Sequence, residues 1–231
     1  LDAPRKTLLL NMQDCGKSLA AKAAAGVFGV PLLRLDVGAL YSKWHGESER
    51  NLRESLQAAE ALAPCVVWVD EIEKALAAGD SDNGTSRRVL GTLLTWMSEQ
   101  RARIFVVATA NDITSLPPEL VRKGRFDEIF FVDLPSAETR AEIIVIHARK
   151  RNIPLLAGQI AALAQHSAQF TGAEIEQAIV AAQYSAHARD AAVDANCIAA
   201  EMAATRPLAI MMAERVAALR AWAQDRTVSA D

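Results

Sequence analysis

The first 134 residues of the sequence alternate short apolar runs with segments of helical periodicity. The runs are apolar throughout, which is typical of parallel strands buried on both faces. We place strands at 7–10, 31–36, 65–69, 103–109 and 129–132, and helices at about 17–28, 47–62, 85–100 and 117–123. Because strands and helices alternate, the sequence predicts an α/β fold in which helices sandwich one parallel sheet.

The pattern changes after residue 134, where only helical periodicity continues. We place these helices at 137–151, 157–166, 172–189, 194–204 and 209–223. The chain is therefore predicted to form an α/β domain, 1–134, and a small all-helical domain with a C-terminal helical tail, 135–231. The polar, glycine-containing stretch 77–86 predicts a mobile loop. Because the sequence begins at Leu1 rather than methionine, we expect it to come from a longer protein.

The composition excludes several classes of protein. The 231 residues carry a formal net charge of −3, which gives no general attraction to nucleic acid or anionic lipid. The apolar runs are too short to span a bilayer, and no signal peptide opens the sequence. The three cysteines, Cys15, Cys65 and Cys197, lack metal-ligand spacing and indicate a reducing compartment. We expect a cytoplasmic protein with no membrane span; a nucleic-acid motor is the third and least favoured alternative, since only a local pore could be basic.

The stretch "LLLNMQDCGKSLA", residues 8–20, has the order strand, turn and helix that a phosphate-binding P-loop needs. Lys17 would then reach the β- and γ-phosphates and Ser18 would hold Mg²⁺; alternatively, a helix start contains Gly-Lys-Ser by coincidence. Asn11 and Asp14 stand where such loops usually have glycine, and Asp14 adds negative charge beside a bound anion. We expect a nucleotide site that is weakened or that needs Mg²⁺ or a neighbouring subunit to close it, with contacts from Asn11, Gln13, Asp14, Cys15, Gly16, Lys17, Ser18 and Leu19.

Two other strands end in groups that suit hydrolysis. "CVVWVDEIEK" runs into Asp70 and Glu71, and "IFVVATAND" reaches Asn111. Ligands of open α/β sheets bind beyond the carboxyl ends of the strands, so Asp70 would bind Mg²⁺ through water while Asn111 orients an attacking water beside Glu71. Singly, the acids could be solvated and Asn111 a turn residue. Three strand ends in this order favour a nucleotide-hydrolysing site.

These motifs and their surroundings resemble the AAA family of ATPases across essentially the whole chain. "YSKWHGESERNLR" is similar to the pore-loop segment of ring-forming members, with Lys43, Trp44 and His45 at its tip. "PPELVRKGRFDEIFFVDLP" is similar to the segment that carries arginine fingers, here Arg122 and Arg125. The alternatives are a tryptophan in the core and two solvated arginines.

The helical half carries the same resemblance. "IHARKR" and "FTGAEIEQAI" are similar to segments of the AAA lid domain, in which His147, Gly172 and Ala173 would border the adenosine. His147 could equally be a helix residue that meets no ligand. "LLRLDVGAL", "GTSRRVLGTLLTWMSE" and "PLAIMMAERVAALRAWA" resemble, more narrowly, the Ycf-type AAA proteins of plastids, cyanobacteria and other bacteria.

The resemblance implies an ATPase that uses ATP and Mg²⁺ in a homo-oligomer, either a hexameric ring or a spiral, to remodel or thread a macromolecular partner. Fingers that act in trans require such a head-to-tail assembly. The alternative is a nucleotide-responsive scaffold or regulator with weak hydrolysis, as the departures at Asn11 and Asp14 suggest. The substrate is not indicated, and the location would be the plastid stroma in a plastid-bearing organism.

Overall fold

A computed structural model of the protein describes residues 5–10, 16–37, 47–75, 83–113, 116–122 and 124–230. The chain divides into two compact units, each with its own apolar core. Among the described residues, the α/β unit includes those of 5–10, 17–132 and 222–230, and the helical unit includes 133–221.

Five parallel strands from the first 131 residues form most of the sheet of the α/β unit. They are β1 (Lys6–Leu10), β2 (Leu32–Asp36), β3 (Cys65–Asp70), β4 (Ile104–Ala110) and β5 (Glu128–Phe131). Their order across the sheet is β2-β3-β4-β1-β5, so the three strands that carry the predicted chemistry are neighbours. Each strand begins and ends within one residue of its predicted position, and the predicted α/β class is confirmed.

Helices cover both faces of this sheet. They are α1 (Lys17–Phe28), α2 (Glu47–Ala61), α3 (Asn83–Glu99) and α4 (Pro118–Val121), and a short 3-10 turn spans Ile72–Ala75. Alternate residues of β3 enter different clusters: Val67 and Val69 pack in the core that includes α2 and α3, whereas Val66 and Trp68 pack with α1. Burial on both faces explains why these strands are apolar throughout.

The helical unit contains α5 (Ala137–Lys150), α6 (Ala157–His166), α7 (Gly172–His187), α8 (Ala195–Ala204), α9 (Leu208–Met211) and most of α10 (Ala213–Ala223). Ile144, Ile175 and Ile198 are fully buried in its core. Thr171 begins α7 with a capping box, because its side chain accepts from the N–H of Glu174 while that glutamate accepts from the N–H of Thr171. None of the described helices is long and apolar enough to cross a bilayer.

Three local features differ from the sequence-based expectation. The strands do not stop at β5, since a two-residue strand β6 (Val228–Ser229) pairs with it in parallel, and the tail from Trp222 onward belongs to the α/β unit. Helix α3 begins at Asn83, so 83–86 is helical rather than loop, and 76–82 lies outside the described residues. The predicted helix 209–223 is interrupted at Met212. The domain boundary at residue 134 remains a prediction.

Candidate functional site

The described residues that are predicted to bind phosphate and Mg²⁺ and to activate water gather at the carboxyl edge of the sheet. Strands β1, β3 and β4 are neighbours in register, with Leu10 opposite Ala110 and Val69 opposite Ala108, so the residues that follow them share one edge. Helix α1 begins at this edge after Gly16, whose φ of +87° lies in the region that favours glycine. The alanine-rich sequence of α1 suits a helix, and its first N–H groups lie at the positive end of the helix dipole.

Lys17, Asn111 and Glu71 form a continuous chain of contacts. Lys17 is buried with 8% of its surface exposed, and its ammonium donates a hydrogen bond to Oδ1 of Asn111. Nδ2 of Asn111 donates to Oε1 of Glu71 at 2.8 Å. A cation on one side and a carboxylate on the other define the orientation of the amide. One side chain thus links the start of α1 with the ends of β3 and β4.

Glu71 occupies a constrained position immediately after β3. Its φ is +49°, a backbone conformation that non-glycine residues seldom adopt and that often accompanies function. Its N–H donates to Oγ1 of the fully buried Thr109 at 3.0 Å, which anchors the turn to β4. Its carboxylate also forms an ion pair with the ammonium of Lys74. Glu71 is therefore held by both backbone and side-chain contacts.

Asp70 ends β3 with both carboxylate oxygens engaged. Oδ1 accepts from Oγ1 of Thr109 at 3.0 Å, and Oδ2 accepts from the guanidinium of Arg34 at 2.8 Å. Ser18, the second residue of α1, is exposed at the same edge. Hydroxyl and carboxylate oxygens are ligands that suit Mg²⁺, which takes few protein groups and keeps several waters. These residues fit a magnesium ion, and the buried ammonium of Lys17 fits a phosphate.

Glu73 belongs to the site although the sequence predicts no role for it. It lies in the 3-10 turn with 8% of its surface exposed, and its Oε1 accepts from the N–H of Asn111 at 2.9 Å. Its Oε2 has no hydrogen-bond partner within the described part of the protein. Burial raises the pKa of the Glu73 carboxyl, against the opposing effects of the Asn111 N–H and the charge of Lys17.

Several predicted site residues lie outside the described part of the chain. They are Asn11, Gln13, Asp14 and Cys15 of the P-loop stretch and Lys43, Trp44 and His45 of the pore-loop stretch. Leu19 is described and lies in the first turn of α1 with 69% of its surface exposed. The functional roles of these seven residues and of Leu19 remain predictions.

The two predicted finger arginines have different surroundings. Arg122 follows α4 and is exposed. Arg125 is half-buried: its guanidinium donates to the carbonyl oxygen of Leu94 at 3.4 Å and to the hydroxyl of Ser98, both on α3. Arg125 is thus held within its own α/β unit, and a role in trans remains a prediction for both residues.

The remaining predicted residues lie in the helical unit. Nδ1 of His147, in the last turn of α5, lies 3.2 Å from Oε1 of Glu176, a carboxylate oxygen that also accepts from Arg151 at 2.7 Å. Burial lowers the pKa of the His147 imidazole, and Glu176 opposes that shift. Gly172 and Ala173 open α7. Contact of these residues with adenosine remains a prediction.

Comparison with known proteins identifies the class to which this fold and site belong. The model of the AAA family, the ATPase family associated with various cellular activities, matches residues 7–134. That range is more than half of the 231 residues. The chain belongs to the AAA family.

Two relatives indicate a narrower group within the AAA family. The "Uncharacterized AAA domain-containing protein ycf46" of Pyropia yezoensis is 45% identical over 228 residues, which are 97% of this chain and 46% of that protein. The protein of the same name from Trieres chinensis is 46% identical over 226 residues, 96% of this chain and 46% of that protein. The predicted likeness to Ycf-type AAA proteins is confirmed. The chain spans just under half the length of these relatives.

The fold also matches solved structures. The crystal structure of the FIGL-1 AAA domain in complex with ADP gives a TM-score of 0.83 at 21% identity, and the match covers 97% of this chain and 79% of that chain. At this identity the likeness shows the fold alone.

Proposed function

We propose that this protein is an ATPase that binds Mg²⁺ and ATP, hydrolyses ATP in an oligomeric ring, and uses the energy to remodel or thread a macromolecular partner. The observation that carries the proposal is the chain of contacts from Lys17 through Asn111 to Glu71 at the carboxyl edge of the sheet. A phosphate-binding cation, an orienting amide and a candidate base there are the groups that phosphoryl transfer to water requires. Membership of the AAA family supports the same activity.

Each residue has a role in this proposal. Lys17 and the first N–H groups of α1 bind the β- and γ-phosphates, while Ser18 and Asp70 hold Mg²⁺. The ion, when bound, supplies positive charge that neutralises the phosphate oxygens. Asn111 orients the attacking water, and the Glu71 carboxylate accepts its proton. The ADP complex of the FIGL-1 AAA domain supports nucleotide binding by this fold.

The oligomer and its partner are further parts of the proposal. Arg122 and Arg125 would reach the nucleotide of a neighbouring subunit, because a guanidinium neutralises charge that develops on the γ-phosphate. Lys43, Trp44 and His45 would contact the macromolecule in a central pore. The proposed location is the cytoplasm, or the plastid stroma in a plastid-bearing organism.

A second candidate function is a nucleotide-responsive scaffold that hydrolyses slowly. The observation that favours it is the ion pair between Glu71 and Lys74, because a carboxylate that already contacts an ammonium must exchange that contact before it can accept a proton from water. Asp14 in the P-loop stretch favours it as well. In this candidate, nucleotide binding changes the assembly while turnover contributes little.

Phosphate release from ATP, measured beside oligomer size with and without Mg²⁺, tests the two candidates. The ATPase proposal expects Mg²⁺-dependent turnover that falls at least about a hundredfold in Glu71→Gln, since this change removes the base with little change in shape. Glu54→Gln is the matched control, because it makes the same chemical change on the exposed surface of α2. ATP-dependent assembly without turnover above the Glu71→Gln level would support the scaffold. Absence of nucleotide binding would contradict both.

A further inference from the structure

We propose that Arg34 is a positioning residue for Asp70, and that its guanidinium raises the Mg²⁺ concentration at which the nucleotide site fills. The inference rests on the proposed function, because it concerns how readily the same site takes the metal. It assigns a role to a residue that neither the P-loop nor the strand-end motifs include.

Sheet register brings Arg34 to this position. Strand β2 pairs in parallel with β3, with Arg34 opposite Trp68 and Asp36 opposite Asp70. Residues two apart on a strand share a face, so Arg34 and Asp70 are diagonal neighbours on one face of the sheet. A long side chain spans that diagonal.

Three contacts hold the guanidinium there. It donates to Oδ2 of Asp70 at 2.8 Å, its central carbon lies 4.9 Å from the centre of the Trp68 ring, and it lies 3.9 Å from Oδ2 of Asp36. Trp68 is buried, so it provides a fixed surface for the guanidinium. Since Thr109 occupies Oδ1 of Asp70, neither oxygen is free of a protein donor.

These contacts oppose loading of the metal in two ways. A Mg²⁺ ion held through Asp70 would have to share a carboxylate that already accepts from Arg34 and Thr109. In addition, the positive charge of Arg34 repels a divalent cation that approaches Asp70. The same contacts balance the charge of Asp70 when Mg²⁺ is absent and hold its carboxylate in one orientation. The Arg34 side chain is about half exposed, so solvent and salt weaken the repulsion.

Binding of a fluorescent ATP analogue, followed by anisotropy while free Mg²⁺ is varied, tests the inference without requiring turnover. In Arg34→Gln we expect the Mg²⁺ concentration for half-maximal binding to fall by about threefold or more, a modest shift because the charge is screened. Arg34→Lys keeps the charge but loses the stacking of the planar guanidinium on Trp68, so its half-maximal Mg²⁺ concentration should lie between those of wild type and Arg34→Gln. Arg103→Gln is the control: it removes an equal charge from an exposed residue just before β4, at the opposite edge of the sheet.

The outcomes separate the inference from the proposed function. An unchanged or higher midpoint in Arg34→Gln, while wild-type protein binds the analogue in a Mg²⁺-dependent way, overturns the role of Arg34 alone. Equal shifts in Arg34→Gln and Arg103→Gln overturn it too, because they would show a general effect of net charge. If wild-type protein binds no analogue at any Mg²⁺ concentration, the proposed function fails and the inference falls with it. Thermal unfolding without nucleotide or Mg²⁺ shows whether a variant has lost stability, which is distinct from a shift in the Mg²⁺ concentration for half-maximal binding. If Arg34→Gln does not fold, Arg34→Lys is compared with wild type instead.

Discussion

The side-chain amide of Asn111 connects two oppositely charged groups: its oxygen accepts from the Lys17 ammonium, and its nitrogen donates to Oε1 of Glu71 at 2.8 Å. Its backbone N–H donates to Oε1 of Glu73 at 2.9 Å, so the residue is fixed at both its main chain and its side chain. Asn111 therefore determines how the groups of three chain segments face one another.

Under the proposed function, we expect Asn111→Ala to lower ATP turnover by about ten- to a hundredfold, because an attacking water beside Glu71 would lose its orienting group. Nucleotide affinity should change much less, since Lys17 remains. Steady-state phosphate release and anisotropy of a bound analogue measure the two effects separately. An equal loss of affinity and turnover would contradict the prediction, because it would show that Asn111 acts chiefly by holding Lys17.

A second prediction concerns the pH dependence of stability. Burial raises the pKa of Glu73 in the folded protein, so the folded state retains a proton that the unfolded state releases. The contribution of Glu73 to the free energy of unfolding is therefore fully present below the pKa that the carboxyl has in the unfolded protein. It is lost as pH rises through the higher pKa of the folded protein. Glu73→Gln does not titrate and keeps an acceptor for the N–H of Asn111. We expect Glu73→Gln to gain stability relative to wild type as pH rises through that window.

Urea unfolding of wild-type and Glu73→Gln protein across a pH series measures this difference. Glu54→Gln, an exposed change on α2, should follow wild type at every pH. A Glu73→Gln difference that stays constant, or that shrinks as pH rises, would refute the linkage.

A third prediction concerns whether Arg125 acts on the nucleotide of a neighbouring subunit. Arg125→Ala and Glu71→Gln subunits should each be nearly inactive alone, but their mixture should regain some turnover, because some interfaces join an intact arginine to an intact base. Ser98→Ala controls for the intramolecular contact of Arg125 with α3 and should remain active. If the two variants co-assemble, as light scattering or cross-linking would show, and no turnover returns, Arg125 does not act across an interface.

The fourth prediction concerns Asp14, which lies outside the described residues. A carboxylate roughly 5–8 Å from a phosphate charge costs about 2–3 kcal/mol per charge pair at an effective dielectric near 20. Asp14→Gly should therefore tighten ATP binding by about tenfold or more, and Asp14→Asn should recover part of that gain. Calorimetric titration at fixed Mg²⁺ measures all three proteins. Equal affinities would show that the side chain points away from the nucleotide.

The sequence predicts the place of residues that end a continuous apolar run. It does not predict the place of residues whose position depends on tertiary contacts. The apolar runs that end at Asp70 and Asn111 identify buried strands, and parallel pairing alone brings their carboxyl ends together. Glu73 has no such signal, because its burial depends on a 3-10 turn that directs it toward the N–H of Asn111. Arg34 was missed because its contact with Asp70 depends on the register of two strands distant in sequence.

Strand β6 and the first residues of α3 are not predicted from the sequence, for a different reason. The two residues of β6 are too few to show a periodicity, and only their pairing with β5 makes them a strand. At the start of α3, Asn83 and Gly84 have weak helix propensity, so the pattern of 77–86 indicated a loop. Both cases show tertiary context overriding local preference.

Strand β6 also has a consequence for the order in which the chain can fold. Its pairing with β5 makes the α/β unit discontinuous, with residues 133–221 inserted between its two segments. During vectorial synthesis, the helices of the helical unit can assemble from the continuous stretch 133–221. Among the residues that the structure describes, by contrast, only 228–229 pair with the outer side of β5, so its backbone donors and acceptors meet that strand only after 228–229 have left the ribosome. A nascent chain therefore exposes an open sheet edge throughout the synthesis of the helical unit, and it is in this interval that we expect it to need a chaperone most.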